Sequence, residues 1–168
     1  MTTDSNNRLA TVEFHRDELG FSAGHFTIFS ATEREDLHGH NYYVDARFQV
    51  RLTDNGMAFD YRIYKNKIRE LCAKLHLKFL LPSQSKFLKI EDQGAMWFAH
   101  FNNEPIPFLK RDALILPLCN ITIEELSNWF LQHLTQDKND LKKYQIHGIT
   151  IRVFNGPGQS GGATWNAN

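Results

Sequence analysis

An α+β fold, antiparallel strands with two helices in a single domain over residues 1–168, is predicted by three features of the sequence. From His38 to Leu52 the even positions carry His38, His40, Tyr42, Val44, Ala46, Phe48, Val50 and Leu52, while Asn41, Asp45, Arg47, Gln49 and Arg51 stand opposite. That is the period of two expected of a half-buried strand. Tyr64, Ile68, Leu71, Cys72 and Leu75 recur at helical spacing, and so do Leu126, Trp129, Phe130 and Leu134.

Taken in order, residues 1–8 form a polar head, read as flexible. Leu9 to Phe26 alternates as a long strand interrupted near Asp17. The strand ending at Leu52 runs into Asp54-Asn55-Gly56, a tight-turn signal, after which Met57 to Phe59 is expected to fold back as a short strand. Asp60 stands where a helix cap would, so the first helix is placed from Asp60 to about Leu75. Residues 83–118 form an excursion with a hairpin, its turns marked by Asp92-Gln93-Gly94 and Asn102-Asn103. Thr122-Ile123-Glu124-Glu125 is a capping box that opens a second helix, from about Ile123 to Leu134. Gln136 to Lys143 reads as a charged surface connection, and Ile149, Ile151 and Val153 as a further strand. Residues 156–168 form a glycine-rich tail, a flexible end or a loop lining a neighbouring subunit. Within it Gly156-Pro157-Gly158-Gln159-Ser160-Gly161 fits a dinucleotide fingerprint, but the seven residues that follow leave no room for the helix that motif needs.

Composition excludes several classes. Nineteen Lys and Arg balance nineteen Asp and Glu, so no summed positive field collects nucleic acid or an anionic membrane. The apolar run Leu114 to Cys119 is broken by Pro117 and falls far short of the roughly 20 residues of a membrane span. The start of the chain lacks the apolar core of a secretory signal, and two cysteines make no disulfide framework, so a cytoplasmic location is expected.

Eight histidines are the informative excess. His38 and His40 leave one face of their strand with Cα atoms roughly 6.5 to 7 Å apart, close enough for both imidazoles to reach one ion. His25, on the preceding strand, is the natural third ligand of a zinc site that keeps one position open. Gly24 and Gly39 remove bulk beside these ligands. The competing reading makes the pair ordinary polar residues at a hairpin mouth and His25 a core histidine. His15, His100, His133 and His147 have no partner at a ligand spacing.

The segments Phe21-Ser22-Ala23-Gly24-His25 and Leu37-His38-Gly39-His40-Asn41-Tyr42 closely resemble the zinc motif of the 6-pyruvoyl-tetrahydropterin and 6-carboxy-tetrahydropterin synthases. Met57-Ala58-Phe59-Asp60-Tyr61 resembles that family's approach to its first helix, and Asn120-Ile121-Thr122-Ile123-Glu124-Glu125-Leu126 its approach to the second. The resemblance implies the tunnelling fold: an antiparallel sheet with two helices on one face, trimers closing a barrel, and two trimers stacked as a homohexamer with sites between subunits. It also implies zinc on His25, His38 and His40.

Three departures bear on chemistry. The family's catalytic cysteine is absent from Ala31-Thr32-Glu33-Arg34-Glu35-Asp36; a subgroup carries a glutamate there, and Glu35 occupies its place. Glu35 is then the proton acceptor, unless Glu33 to Asp36 is only a solvated loop. The family's Asp-His pair after the first helix is here His76-Leu77, so His76 either takes over acid-base work or ends a helix. Asn155 stands where the family places a glutamate that grips the pterin, and an amide offers one accepting oxygen and a donating NH2 in its stead.

The resemblance implies a zinc-dependent lyase acting on 7,8-dihydroneopterin triphosphate or a related pterin. Its products would serve biopterin, queuosine or folate biosynthesis, and the glutamate favours side-chain cleavage. The alternative is a zinc-binding homolog without lyase activity, serving as a ligand-binding or assembly subunit.

Overall fold

The computed structural model describes residues 8–15 and 18–167. The rest of the head and Asp17 lie outside the described residues. Leu9 to Phe26, read as a strand interrupted near Asp17, gives β1 (Leu9–Phe14) and β2 (Gly20–His25), and both pair antiparallel with the long β3 (His38–Arg51). A third ladder joins β3 to β9 (Ile146–Phe154), and β9 in turn pairs with β10 (Ser160–Asn166).

The helices are α1 (Arg62–Leu75) and α2 (Ile123–Thr135). Tyr64, Ile68, Leu71, Cys72 and Leu75 of α1, and Leu126, Trp129, Phe130 and Leu134 of α2, join Tyr42, Val44, Ala46, Phe48 and Val50 of β3 in one core. Both helices therefore cover one face of the sheet. Each such buried side chain contributes about 1.5 to 3 kcal/mol relative to exposure. No helix among the described residues is long and apolar enough to cross a membrane.

Several expectations need correction. The sheet is mixed, not antiparallel: β4 (Lys78–Pro82) runs parallel to β2, and β8 (Ala113–Leu116) parallel to β4. After β3 ends at Arg51, α1 carries the chain back to the level of Ala23 and His40, so β4 enters beside β2 in the same direction, and residues 83–112 form the crossover that lets β8 run parallel to β4. Met57 to Phe59 is not a strand; the turn is closed on itself by Thr53, whose amide and hydroxyl both donate to the Met57 carbonyl at 2.7 Å. The first helix begins at Arg62, two residues late, although Asp60 still accepts from the Arg62 amide at 3.1 Å.

The excursion is a three-stranded meander, β5 (Leu88–Gln93), β6 (Met96–Phe101) and β7 (Glu104–Leu109), and not one hairpin. The predicted turns are real, with Gly94 at φ 66° and Asn102 and Asn103 at 47° and 65°. Gln136 to Lys143 contains a short helix, α3 (Lys138–Lys143), capped by the Asp137 carboxylate.

The glycine-rich end is no loose tail, since Ser160 to Asn166 is a strand. At Gly161 an added Cβ would lie 2.5 Å from the Glu124 nitrogen. Glycine there lets β10 press directly against the first turn of α2.

Candidate metal centre and acid-base site

Register builds the site. His25 is paired directly with His38 across β2 and β3, and His40 lies two residues along on the same face. The ring centroids are 4.5 Å apart for His25 and His38, 5.2 Å for His25 and His40, and 4.8 Å for His38 and His40. One ligating atom from each falls within 4.8 Å of the others, the only such cluster of three His, Cys, Asp or Glu among the described residues. Cys72 is buried in the core and Cys119 is exposed; neither belongs to it.

The outer hydrogen bonds choose which nitrogen faces inward. His25 Nδ1 lies 3.0 Å from the Ile121 carbonyl and His38 Nδ1 2.8 Å from the Asp36 carbonyl. A carbonyl only accepts, so each Nδ1 carries the proton and each Nε2 keeps its lone pair. His25 Nε2 is then buried with no partner among the described residues, while His38 Nε2 and His40 Nε2 approach to 3.0 Å. Nitrogens on a tetrahedral zinc ion at roughly 2.0 to 2.1 Å stand about 3.3 to 3.4 Å apart, so modest separation of these atoms suits that ion. Two inward lone pairs, one of them on the buried His25 Nε2, with the His40 ring beside them fit a divalent cation.

Burial, reinforced by His38, pushes His25 down from 6.5 to about 4. Burial and His38 also lower His40. Both rings are thus neutral and ready to ligate at neutral pH. A ring held neutral in the fold but titrating near 6.5 when unfolded costs stability on acidification. The metal-free protein is expected to keep a constant melting temperature above pH 6.5 and to lose stability between pH 6.5 and about 4. Thermal melts of the chelated protein check this, with His25→Gln flattening the profile.

The glycine pair has a different role from the one expected. Gly24 and Gly39 face each other across the ladder. A Cβ on Gly24 would meet the Phe79 ring at 2.5 Å, and one on Gly39 the Ala23 carbonyl at 3.0 Å. They make room for neighbouring protein atoms, not for the ion.

Glu35 reaches the cluster: its Oε2 lies 3.9 Å from His38 Nε2. The loop is not merely solvated. Burial alone would raise Glu35, but the hydrogen bond from the Thr27 amide at 2.9 Å, helped by His38 and His25, brings it below the usual 4.5. The Glu35 amide in turn donates to the Thr27 carbonyl at 2.9 Å.

Two residues that spacing could not single out hold this loop. Asn120 donates to the Ile28 carbonyl at 2.8 Å and accepts from the Ile28 amide at 3.1 Å and the Ile121 amide at 3.0 Å, tying the Glu35 segment to the carbonyl that orients His25. The Arg34 guanidinium lies between the Phe26 and Phe101 rings, 5.2 and 5.7 Å from their centres, and donates to the Glu35 carbonyl at 2.7 Å. Phe101 belongs to the excursion, whose core includes Phe26 and Ile28.

The other predicted residues stand apart from the three imidazoles. His76 ends α1, and its Nδ1 accepts from the Ser22 amide at 3.1 Å. It adjoins Leu77 and Lys78, which with Ser22, His40 and Asn41 line an open cavity of about 400 Å³. Asn155 follows the end of β9, where Gln159 donates to its Oδ1 at 2.8 Å.

Residues 15–160 match the family described as 6-pyruvoyl tetrahydropterin synthase. The Plasmodium falciparum 6-pyruvoyl tetrahydropterin synthase structure superimposes with a TM-score of 0.89 at 31% identity, covering 96% of this chain and 100% of that one. A Plasmodium vivax synthase in which a catalytic glutamate is replaced by alanine gives 0.90 at 27% identity with the same coverage. A Methanocaldococcus jannaschii protein, provisionally named a 6-carboxy-5,6,7,8-tetrahydropterin synthase, is 27% identical over 142 residues, 84% of this chain and 86% of that protein.

Proposed function

Since the chain belongs to the 6-pyruvoyl tetrahydropterin synthase family and is an enzyme of that family, a lyase, we propose that it acts on 7,8-dihydroneopterin triphosphate or a closely related pterin. The reading rests above all on the buried, unpartnered His25 Nε2 facing His38 and His40. His25, His38 and His40 would hold zinc, and the ion, when bound, supplies a Lewis acid that polarises substrate hydroxyls and lowers their pKa.

Glu35 removes the proton. Its carboxylate is ionised at neutral pH and restrained beside His38, within a hydrogen bond or one water of a hydroxyl presented to the cluster. The likeness to a Plasmodium vivax enzyme with a catalytic glutamate supports that role. His76 is the candidate for the remaining acid-base work: with Nδ1 accepting from the Ser22 amide, its neutral ring carries the hydrogen on Nε2 and offers it as a hydrogen-bond donor. Asn155, with Gln159 donating to its Oδ1, would meet the substrate's ring edge with a donating NH2 and the remaining lone pair of Oδ1.

The excursion then acts as a brace, since Phe101 holds Arg34 and Arg34 holds the Glu35 backbone. Phe101→Ala is expected to lower kcat by roughly ten- to a hundredfold with bound zinc unchanged, the scale at which small misplacement of a reacting group tells. Steady-state kinetics with metal analysis checks it.

A glutamate in place of cysteine favours side-chain cleavage, the 6-hydroxymethyl outcome of the folate branch, over the biopterin and queuosine products. Assembly as two stacked trimers belongs to the same reading, and β10 offers a sheet edge for it, being paired on one side only among the described residues. Incubating zinc-loaded protein with dihydroneopterin triphosphate and following products by mass tests the reading. A 6-hydroxymethyl pterin is expected, and recovery of unchanged substrate would contradict it.

A further inference from the structure

The far end of β3 holds a second cavity, of about 490 Å³, within the usual range for small-molecule sites. Arg51, Lys138, Lys142 and His147 line it, with Trp165 as an aromatic wall and Leu141 among its apolar residues. Thirteen residue steps of β3 separate Arg51 from His38, roughly 40 Å of extended chain, so this cavity is distinct from the metal centre.

Charge marks the cavity out. In a chain of zero formal charge it gathers three permanent cations and, among the described residues, no carboxylate. The acids of the adjoining helix are already engaged: Asp140 pairs with Lys67 at 2.6 Å, and Asp137 accepts from the Asn139 and Asp140 amides. Lys138 Nζ rests 5.2 Å from the Trp165 ring centre, which holds one cation at the wall without neutralising it.

Most telling is Arg51. Its amide donates to the Gln145 carbonyl at 3.1 Å, which anchors the residue, yet its Nε is buried with no partner among the described residues. A buried unpaired donor on a charged group is costly unless an acceptor arrives. A guanidinium sharing one cavity with two lysines is a donor set suited to phosphate oxygens.

We propose that this cavity is a binding site for a small polyphosphate-bearing ligand, separate from the place where the pterin reacts. Arg51 supplies the oriented contact, and Lys138 and Lys142 neutralise the remaining charge.

Calorimetric titration with inorganic tripolyphosphate, in chelator and without divalent cations, tests the site. The whole protein is expected to bind it. Arg51→Met is expected to weaken binding roughly tenfold or more, the scale of a hydrogen bond to a charged group. Lys142→Gln, an exposed change that spares the core, is expected to weaken it several-fold, whereas Lys86→Gln and His38→Ala leave it unchanged. Absence of binding to the unaltered protein would overturn the proposal, as would equal affinity in the Lys142→Gln variant. Loss of binding in His38→Ala alone would also overturn it, by placing the anion at the metal centre.

Discussion

Replacing His38 with alanine is expected to strip the purified protein of stoichiometric zinc and to abolish turnover. His38 is the residue through which the site is joined: it pairs with His25 across the ladder, approaches His40 at 3.0 Å, and lies 3.9 Å from Glu35. Losing even a hydrogen-bond partner of a metal ligand typically costs 10- to 100-fold in affinity or activity, and losing the ligand itself costs more. The fold should survive, because the side chain is only half-buried and stands at the start of β3. His15→Ala serves as control, since His15 pairs with Glu13 and Asp45 away from the cluster. Metal analysis of the two variants with matched circular dichroism checks the result. One zinc per chain in His38→Ala would contradict the ligand assignment.

Glu35→Gln carries the second large effect. Glutamine keeps the shape and still accepts from the Thr27 amide, so loop and metal should remain, but it takes up no proton. A fall in kcat of about 10²- to 10⁴-fold is expected, with KM little changed and zinc retained, the range that general acid-base catalysis contributes. An equal kcat in the variant would return Glu35 to the role of a structural loop residue. A parallel loss of zinc would show that its charge serves the metal rather than the proton.

Those two residues were readable from the chain to different degrees, and the reason is physical. The alternation through β3 depends only on local period, so the pair at His38 and His40, their common face and the buried stripe behind them follow directly. His25 needed a register, which a hairpin between neighbouring strands supplies. The mixed sheet was not legible, because parallel pairing of β2, β4 and β8 depends on how α1 and residues 83–112 carry the chain between strands and leaves no local periodic trace.

The excursion was underread for a related reason. Pro105 and Pro107 argue against a strand, yet β7 pairs only with β6, and an edge tolerates residues that cannot donate to a ladder. Gly161 and Gly162 suggested a loose tail, whereas Gly161 is required where β10 meets α2. Asn120 and the clasp of Arg34 by Phe26 and Phe101 join segments remote in sequence, so no spacing rule reaches them. Glu35 itself stood out only by resemblance, and its contacts with Thr27 and His38 turn that position into a chemical environment.

X-ray absorption at the zinc edge, recorded on the loaded protein in solution, interrogates the metal centre most directly. The account predicts three imidazole nitrogens and one exchangeable oxygen ligand at roughly 2.0 to 2.1 Å, with no sulfur neighbour. A shell containing sulfur near 2.3 Å, or imidazole scattering from fewer than three rings, would contradict it.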